Sequence, residues 1–248
     1  MKNYILIFLL LFCHACFSQT LIHSHNDYEK PAPLINALEN KAYNVEADVY
    51  LVDGKLLVSH EKKDIKTERT LLSLYIQPIV QLYEKNKGFI SKDKQYKPNL
   101  VIDIKENGET IISELVSLLK PYQKYFDRSL NPNAVQIVLS GDRGAISKWK
   151  SYPSLINFDG RPYEQYDAAA LARVAFISDS YSKYINRQNP TATDSLSAVV
   201  TKAHQVKKPV RFWGAPDNEE TWKKLIELTV DILNTDKVTE CRHFLSGH

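Results

Sequence analysis

Apolar and polar positions alternate along this chain with two periods. Short β-branched or apolar runs fall at 21–25, 44–52, 99–105, 134–140, 154–159, 173–178, 209–213 and 230–235. Between most of them the apolar residues recur at helical spacing, which predicts helices around Leu34 and Leu38, from Leu71 to Tyr83, from Ile111 to Leu119 and from Ser195 to Val206. Thr193 or Asp194 is the expected N-cap of the last of these. Asp217-Asn218-Glu219-Glu220 opens a further helix, with acidic side chains where the helix dipole favours them. The segment 141–172 carries only short or irregular helical patterns. About eight strands alternating with helices predict an α/β fold, a (β/α)8 TIM-type barrel in a single domain, with a doubly wound open sheet as the structural alternative.

The strands hold a second pattern. Val45, Ala47, Val49 and Leu51 are apolar, while Glu46, Asp48 and Tyr50 point the other way. Leu100, Ile102 and Ile104 oppose Asp103 and Lys105, and Val210 and Phe212 oppose Arg211 and Trp213. A barrel strand buries its outer face under helices, so the charged set faces inward, toward the rim where barrel sites are built. Carboxylates and amines inside a core are costly unless paired or bound to a metal, which makes these positions informative.

The chain's 248 residues suit one large domain, expected over 19–248, with a core that needs no staple. Residues 1–18 read instead as an export signal. Lys2 is the one charge there, Tyr4 to Phe12 is an unbroken apolar run too short to span a bilayer comfortably, and small residues follow at Cys16 and Ser18. Export to the periplasm or the exterior is the expectation, with an uncleaved anchor or a lipoprotein signal around Cys16 as alternatives. Cleavage leaves Cys241 alone, so the exported fold has no internal disulfide. A net charge of +3 points to neither nucleic acid nor strong membrane binding.

Three carboxylates lead the candidate chemistry. Glu46 and Asp48 share a strand face, and Asp103 lies on a strand expected to be adjacent. Carboxylates crowded on one rim repel unless a cation is present, and an all-oxygen set selects Mg2+ or Ca2+ over zinc. Salt bridges to Lys105 and Arg211 are the structural alternative. Asp53-Gly54 signals a two-residue hairpin that returns His60 to the barrel mouth, where it could protonate a leaving alkoxide or activate a nucleophile. His25 ends the first strand. His23, two residues earlier, completes an H-x-H of the kind that opens multi-histidine metal sites. No histidine follows between His60 and His204, so such a site lacks ligands and His23 is read as structural. Lys105 and Arg211 are cations able to hold phosphate oxygens, and Trp213 offers an apolar wall or stacking surface. Asn26 joins these three as a candidate substrate contact. Asp159, Asp179, Asn234 and Asp236 lie near strand ends with no chemistry assigned, and Gly141-Asp142-Arg143-Gly144 reads only as a turn.

These residues resemble the phosphatidylinositol-phospholipase-C-like phosphodiesterase superfamily, closest to its glycerophosphodiester phosphodiesterase-like members. That pattern has histidine ending strand one, E-x-D on strand two, an Asp-Gly hairpin, then histidine; here they are His25, Glu46-Ala47-Asp48, Asp53-Gly54 and His60. Val101-Ile102-Asp103-Ile104-Lys105 is similar to the third-strand segment that supplies an acidic metal ligand and a lysine, and 230–236 resembles the last strand. The resemblance implies a TIM-type barrel, one divalent cation held by Glu46, Asp48 and Asp103, acid–base catalysis by His25 and His60, and a small-molecule or lipid-derived phosphodiester substrate. Usual members follow the first histidine with Arg-Gly, whereas this chain has Asn26-Asp27. Two other readings are an exported binding protein with a vestigial site and a multi-histidine metallohydrolase of the amidohydrolase or polymerase-and-histidinol-phosphatase type. The substrate's alcohols and the oligomeric state have no sequence signature.

Overall fold

Eight parallel strands close on themselves in the computed structural model, which describes residues 20–186, 188–189 and 193–247. They are β1 (Leu21–Ser24), β2 (Asn44–Val52), β4 (Asn99–Ile104), β5 (Gln136–Gly141), β6 (Ile156–Gly160), β7 (Val174–Ser180), β8 (Val210–Trp213) and β9 (Ile232–Thr235). Closure comes from β1, which pairs with β9 on one side and β2 on the other. This is the expected (β/α)8 barrel, with all eight strands where the apolar runs place them. The proposed signal segment, residues 1–18, lies outside the described residues. Among those residues no helix is long and apolar enough to cross a membrane.

A ninth strand, β3 (Lys55–Val58), folds back on the end of β2 as an antiparallel hairpin. Asp53 and Gly54 both have positive φ, 49° and 73°, the backbone that a tight two-residue turn requires. The amide of Ser59 donates to the Asp48 carbonyl at 3.2 Å, so His60 stays at the β2 rim.

The helices follow the sequence less closely than the strands. The second helical region begins as a π-type turn over Leu72–Ile76 and continues as Gln77–Lys85, and Gly108–Leu119 forms as expected. The helix Thr193–Gln205 takes Thr193 and Asp194 into its first turn, so neither is the N-cap expected from the sequence. Asn218 caps Glu219–Glu227, accepting the Thr221 amide at 3.0 Å. A final helix, Val238–Ser246, has no counterpart in the sequence-based assignment; Val238 and Cys241 are its buried residues. The segment 141–172 holds a 3-10 helix, Ile146–Ser151, and a short helix, Ala168–Arg173.

Two apolar layers flank the strands. Val45, Ala47, Val49, Ile102 and Ile104 belong to the large outer core under the helices. A small inner cluster of Val101, Val138, Phe176 and Ile232 fills the lower barrel. In the outer core Trp149 is fully buried and stacks on Phe158, with ring centroids 4.0 Å apart and planes 3° apart. Trp149→Ala should lower unfolding stability by about 3–5 kcal/mol in denaturant titration, through lost contact and a retained cavity.

Candidate active site

Above the apolar plug the barrel interior turns polar, as strand alternation predicts. His23, Glu46, Asp159, Ser178 and Arg211 are all at most 5% exposed. Such groups are tolerated only when paired, and these are. His23 Nε2 lies 2.6 Å from an Arg211 nitrogen and 3.4 Å from Glu46 Oε2. Burial and the Arg211 charge push His23 down to about 4, against Glu46, so it is neutral near pH 7. Burial alone would raise Glu46, but His23, Arg211 and His25 together hold its carboxyl well below the usual range. Asp159 accepts from Ser140 at 2.9 Å and from Ser178 at 2.7 Å, and pairs with Arg161 at 2.8 Å and Arg211 at 3.3 Å.

Over this layer opens a cavity of about 280 Å³. Every candidate residue read from the sequence lines it. His25 and Asn26 come from the β1 end, Glu46 and Asp48 from β2, and His60 from beyond the hairpin. Asp103 and Lys105 come from β4, and Arg211 and Trp213 from β8. Ser140 and Arg161 line it as well and were not singled out, and so does Gly141, read from the sequence only as part of a turn. Inward parity on 134–140 would have indicated Ser140, but Arg161 lies beyond the predicted strand end. A register shift between Phe158 and Asp159 where β6 meets β7 marks an irregularity of the kind that re-aims side chains near sites. Gly141 is more than a turn residue: its φ is +67°, and a Cβ there would lie 2.2 Å from the Ile104 carbonyl and 2.8 Å from Asp103 Oδ1.

The two histidines differ in setting. His25 Nδ1 lies 3.0 Å from Asp236 Oδ1, and its Nε2 lies 3.8 Å from Glu46 Oε2. Burial works to lower His25, but the Asp236 hydrogen bond and the Glu46 charge leave it above its usual value. That is the arrangement of a base held by a carboxylate. His60 is more exposed; its Nδ1 lies 3.2 Å from Asp48 Oδ2 and 3.3 Å from the Tyr28 hydroxyl. Tyr28 donates to Asp48 at 2.8 Å.

The motif His25-Asn26-Asp27-Tyr28 divides its work between site and scaffold. Asn26 has φ 47°, and its side-chain nitrogen lies 3.0 Å from His25 Nδ1. Asp27 is fully buried and accepts from Ser24 at 3.0 Å, the Leu34 amide at 2.6 Å and Tyr75 at 2.9 Å, tying the loop to the barrel. Asp27 therefore anchors the loop and is not a phosphate contact.

Lys105 bridges two of the carboxylates. Its ammonium lies 2.6 Å from both Asp48 Oδ2 and Asp103 Oδ2, which raises its own pKa despite burial. Burial and the neighbouring Glu46 charge still push Asp48 up to about 6. An all-oxygen donor set with crowded negative charge fits a hard divalent cation in its chemistry. Among the described residues no three histidine, cysteine or acidic side chains already form a closed ligand group, and the Lys105 ammonium takes the place between Asp48 and Asp103.

Arg161 donates to the Gly160 carbonyl at 3.1 Å and to Ser178 at 2.9 Å through one terminal nitrogen. Among the described residues its other terminal nitrogen has only Ser140, at 3.5 Å, and the side chain borders the cavity. His204, the next histidine after His60, pairs with Asp231 at 2.8 Å and does not line the cavity.

A TIM-type barrel with paired histidines and clustered carboxylates at its mouth has the make-up of a glycerophosphodiester phosphodiesterase-like domain. Residues 15–144, just over half of the chain, match the family described as the AIM6-like phosphodiesterase domain. The chain belongs to that family. Residues 209–239 also match the Glycerophosphoryl diester phosphodiesterase family.

Its relatives include the Altered inheritance of mitochondria protein 6 homolog of Arthroderma benhamiae, 26% identical, covering 90% of this chain and 83% of that protein. The Altered inheritance of mitochondria protein 6 of Lachancea thermotolerans is 29% identical, covering 90% of this chain and 65% of that protein. Among solved structures, a glycerophosphodiester phosphodiesterase from Parabacteroides distasonis superposes with a TM-score of 0.56 at 15% identity, over 93% of this chain and 98% of that one. That likeness is one of fold.

Proposed function

We propose that this protein is a metal-dependent phosphodiesterase acting on a glycerophosphodiester or a related lipid-derived diester. The observation that carries the reading is the convergence of His25, His60, Glu46, Asp48, Asp103 and Lys105 on one cavity. His25, held by Asp236, takes the proton from the attacking hydroxyl, whether water or a neighbouring hydroxyl of the substrate. His60 protonates the leaving oxygen. Arg161 presents its less committed nitrogen to a phosphate oxygen, in a chain without the arginine that usually follows the first histidine. Lys105 and Arg211 add positive charge beside and below it, while Trp213 and Asn26 border the substrate. Glu46, Asp48 and Asp103 would hold Mg2+ or Ca2+, and Lys105 competes with the ion for two of them. Held there, such an ion would supply positive charge to offset charge developing on the phosphate.

The test pairs metal binding with turnover. Mg2+ or Ca2+ should raise the unfolding temperature of the wild type, and Asp103→Asn should reduce that rise. Hydrolysis of a broad diester panel should stop with chelator. Chelator-resistant hydrolysis would sink the metal assignment. Metal-dependent stabilisation without turnover on any diester would instead favour a binding protein on the same barrel.

A further inference from the structure

A second cavity, of about 300 Å³, opens beside the first and shares His60 with it. We propose that it receives the leaving alcohol of the diester and favours alcohols that carry an anionic group. This rests on the phosphodiesterase reading and adds a substrate class to it. If His60 protonates the leaving oxygen, the departing alcohol lies on the His60 side of the phosphate, and the second cavity is built around that side chain.

Its lining sets the selectivity. Lys30, Lys66 and Arg69 supply three cations, against the carboxylates of Glu29 and Asp64. Among the described residues, none of these five charges forms an ion pair with another within 4.0 Å. Lys30 acts on Asp27 and Asp236 only through space. Arg69 donates one N–H to the Tyr28 carbonyl, which fixes its guanidinium at the cavity wall. Two of the three cations sit deeper than the carboxylates, while Lys66 is exposed as they are. Lys30 and Arg69 are half-buried, whereas Glu29 and Asp64 are exposed. Water and salt screen the exposed carboxylates more strongly than the deeper cations, so the field inside the cavity is positive beyond its net charge of one. An added carboxylate on the alcohol would meet cations that, among the described residues, have no ion-pair partner, while a purely cationic alcohol would meet them as like charges.

Glycerophosphoserine and glycerophosphoethanolamine differ by one carboxylate and make the matched probes. Titration calorimetry on the full chain carrying His25→Ala separates binding from turnover. The serine diester should bind about tenfold more tightly than the ethanolamine diester. Adding Lys30→Ala and Lys66→Ala should bring the two within about twofold. In the His25-containing protein the same double substitution should lower kcat/KM for the serine diester and, by relieving like-charge repulsion, modestly raise it for the ethanolamine diester. Equal affinities, or a preference that survives the double substitution, overturn the proposal. Hydrolysis of both diesters with equal kcat/KM overturns it while leaving the phosphodiesterase reading intact. Carboxylate-dependent binding with no hydrolysis of either sinks the phosphodiesterase reading and keeps the anion preference.

Discussion

His25→Ala and His60→Ala, made separately, should each lower diester turnover by about 10²–10⁴-fold, the usual effect of losing one general acid or base. Neither substitution should threaten the fold, because the His25 side chain is one-third exposed and that of His60 about half exposed. The two variants should differ in kind. His25 depends on Asp236, so Asp236→Asn should lower turnover too and shift the acid limb of the pH profile downward, since Asp236 helps to raise His25. A His60→Ala enzyme should recover on a diester whose leaving group is a good one, such as p-nitrophenolate, because little protonation is then needed. Wild-type-like turnover in both alanine variants would remove these residues from the chemistry. The double variant should fall little further than the worse single one if the two act in one proton-transfer cycle.

Asp159→Ala should lower stability by about 3–5 kcal/mol in urea or guanidinium unfolding. The carboxylate is fully buried and contacts Arg161, Arg211, Ser140 and Ser178. Its removal leaves Arg211, only 3% exposed, facing His23 and a more distant Glu46. Burial alone would raise Asp159, but Arg161, Arg211 and Ser178 bring it below the usual carboxylate value of 3.8. A carboxylate depressed in the folded state stabilises fully above its unfolded pKa and loses that contribution as pH falls through the folded value. Wild-type stability should therefore drop below about pH 4, and Asp159→Ala should show a shallower drop there. A loss under about 1 kcal/mol would show that the arginines find other partners.

The sequence carried much of this barrel because its signals are local. A period of two assigned Glu46, Asp48 and Asp103 to the inner face without any neighbour in view, and Asp53-Gly54 announced the hairpin through its own backbone preference. The helices were less legible. Val238–Ser246 has no strong alternation and is stabilised by packing Val238 and Cys241 into the core, which no local propensity reports. Resemblance to a known family connected the motifs, and its Arg-Gly position is where this chain departs: Asn26 turns back to His25 and Asp27 ties down the loop.

By itself the sequence determined eight strands, the charged residues on their inner faces and the return of His60 to the rim, since turn chemistry and side-chain alternation act within a few residues. Only the tertiary structure decided how those charges are shared. Closure of β1 against β9 brings Asp236 to His25 across 211 residues of chain, and no local pattern encodes such a meeting. Parallel pairing of β2 with β4 puts Asp48 level with Asp103 and sets Lys105 between them, and the β6–β8 side buries Asp159 between two arginines and brings Arg161 to the cavity. Pairing of this kind depends on distance and burial, which arise only when the barrel shuts.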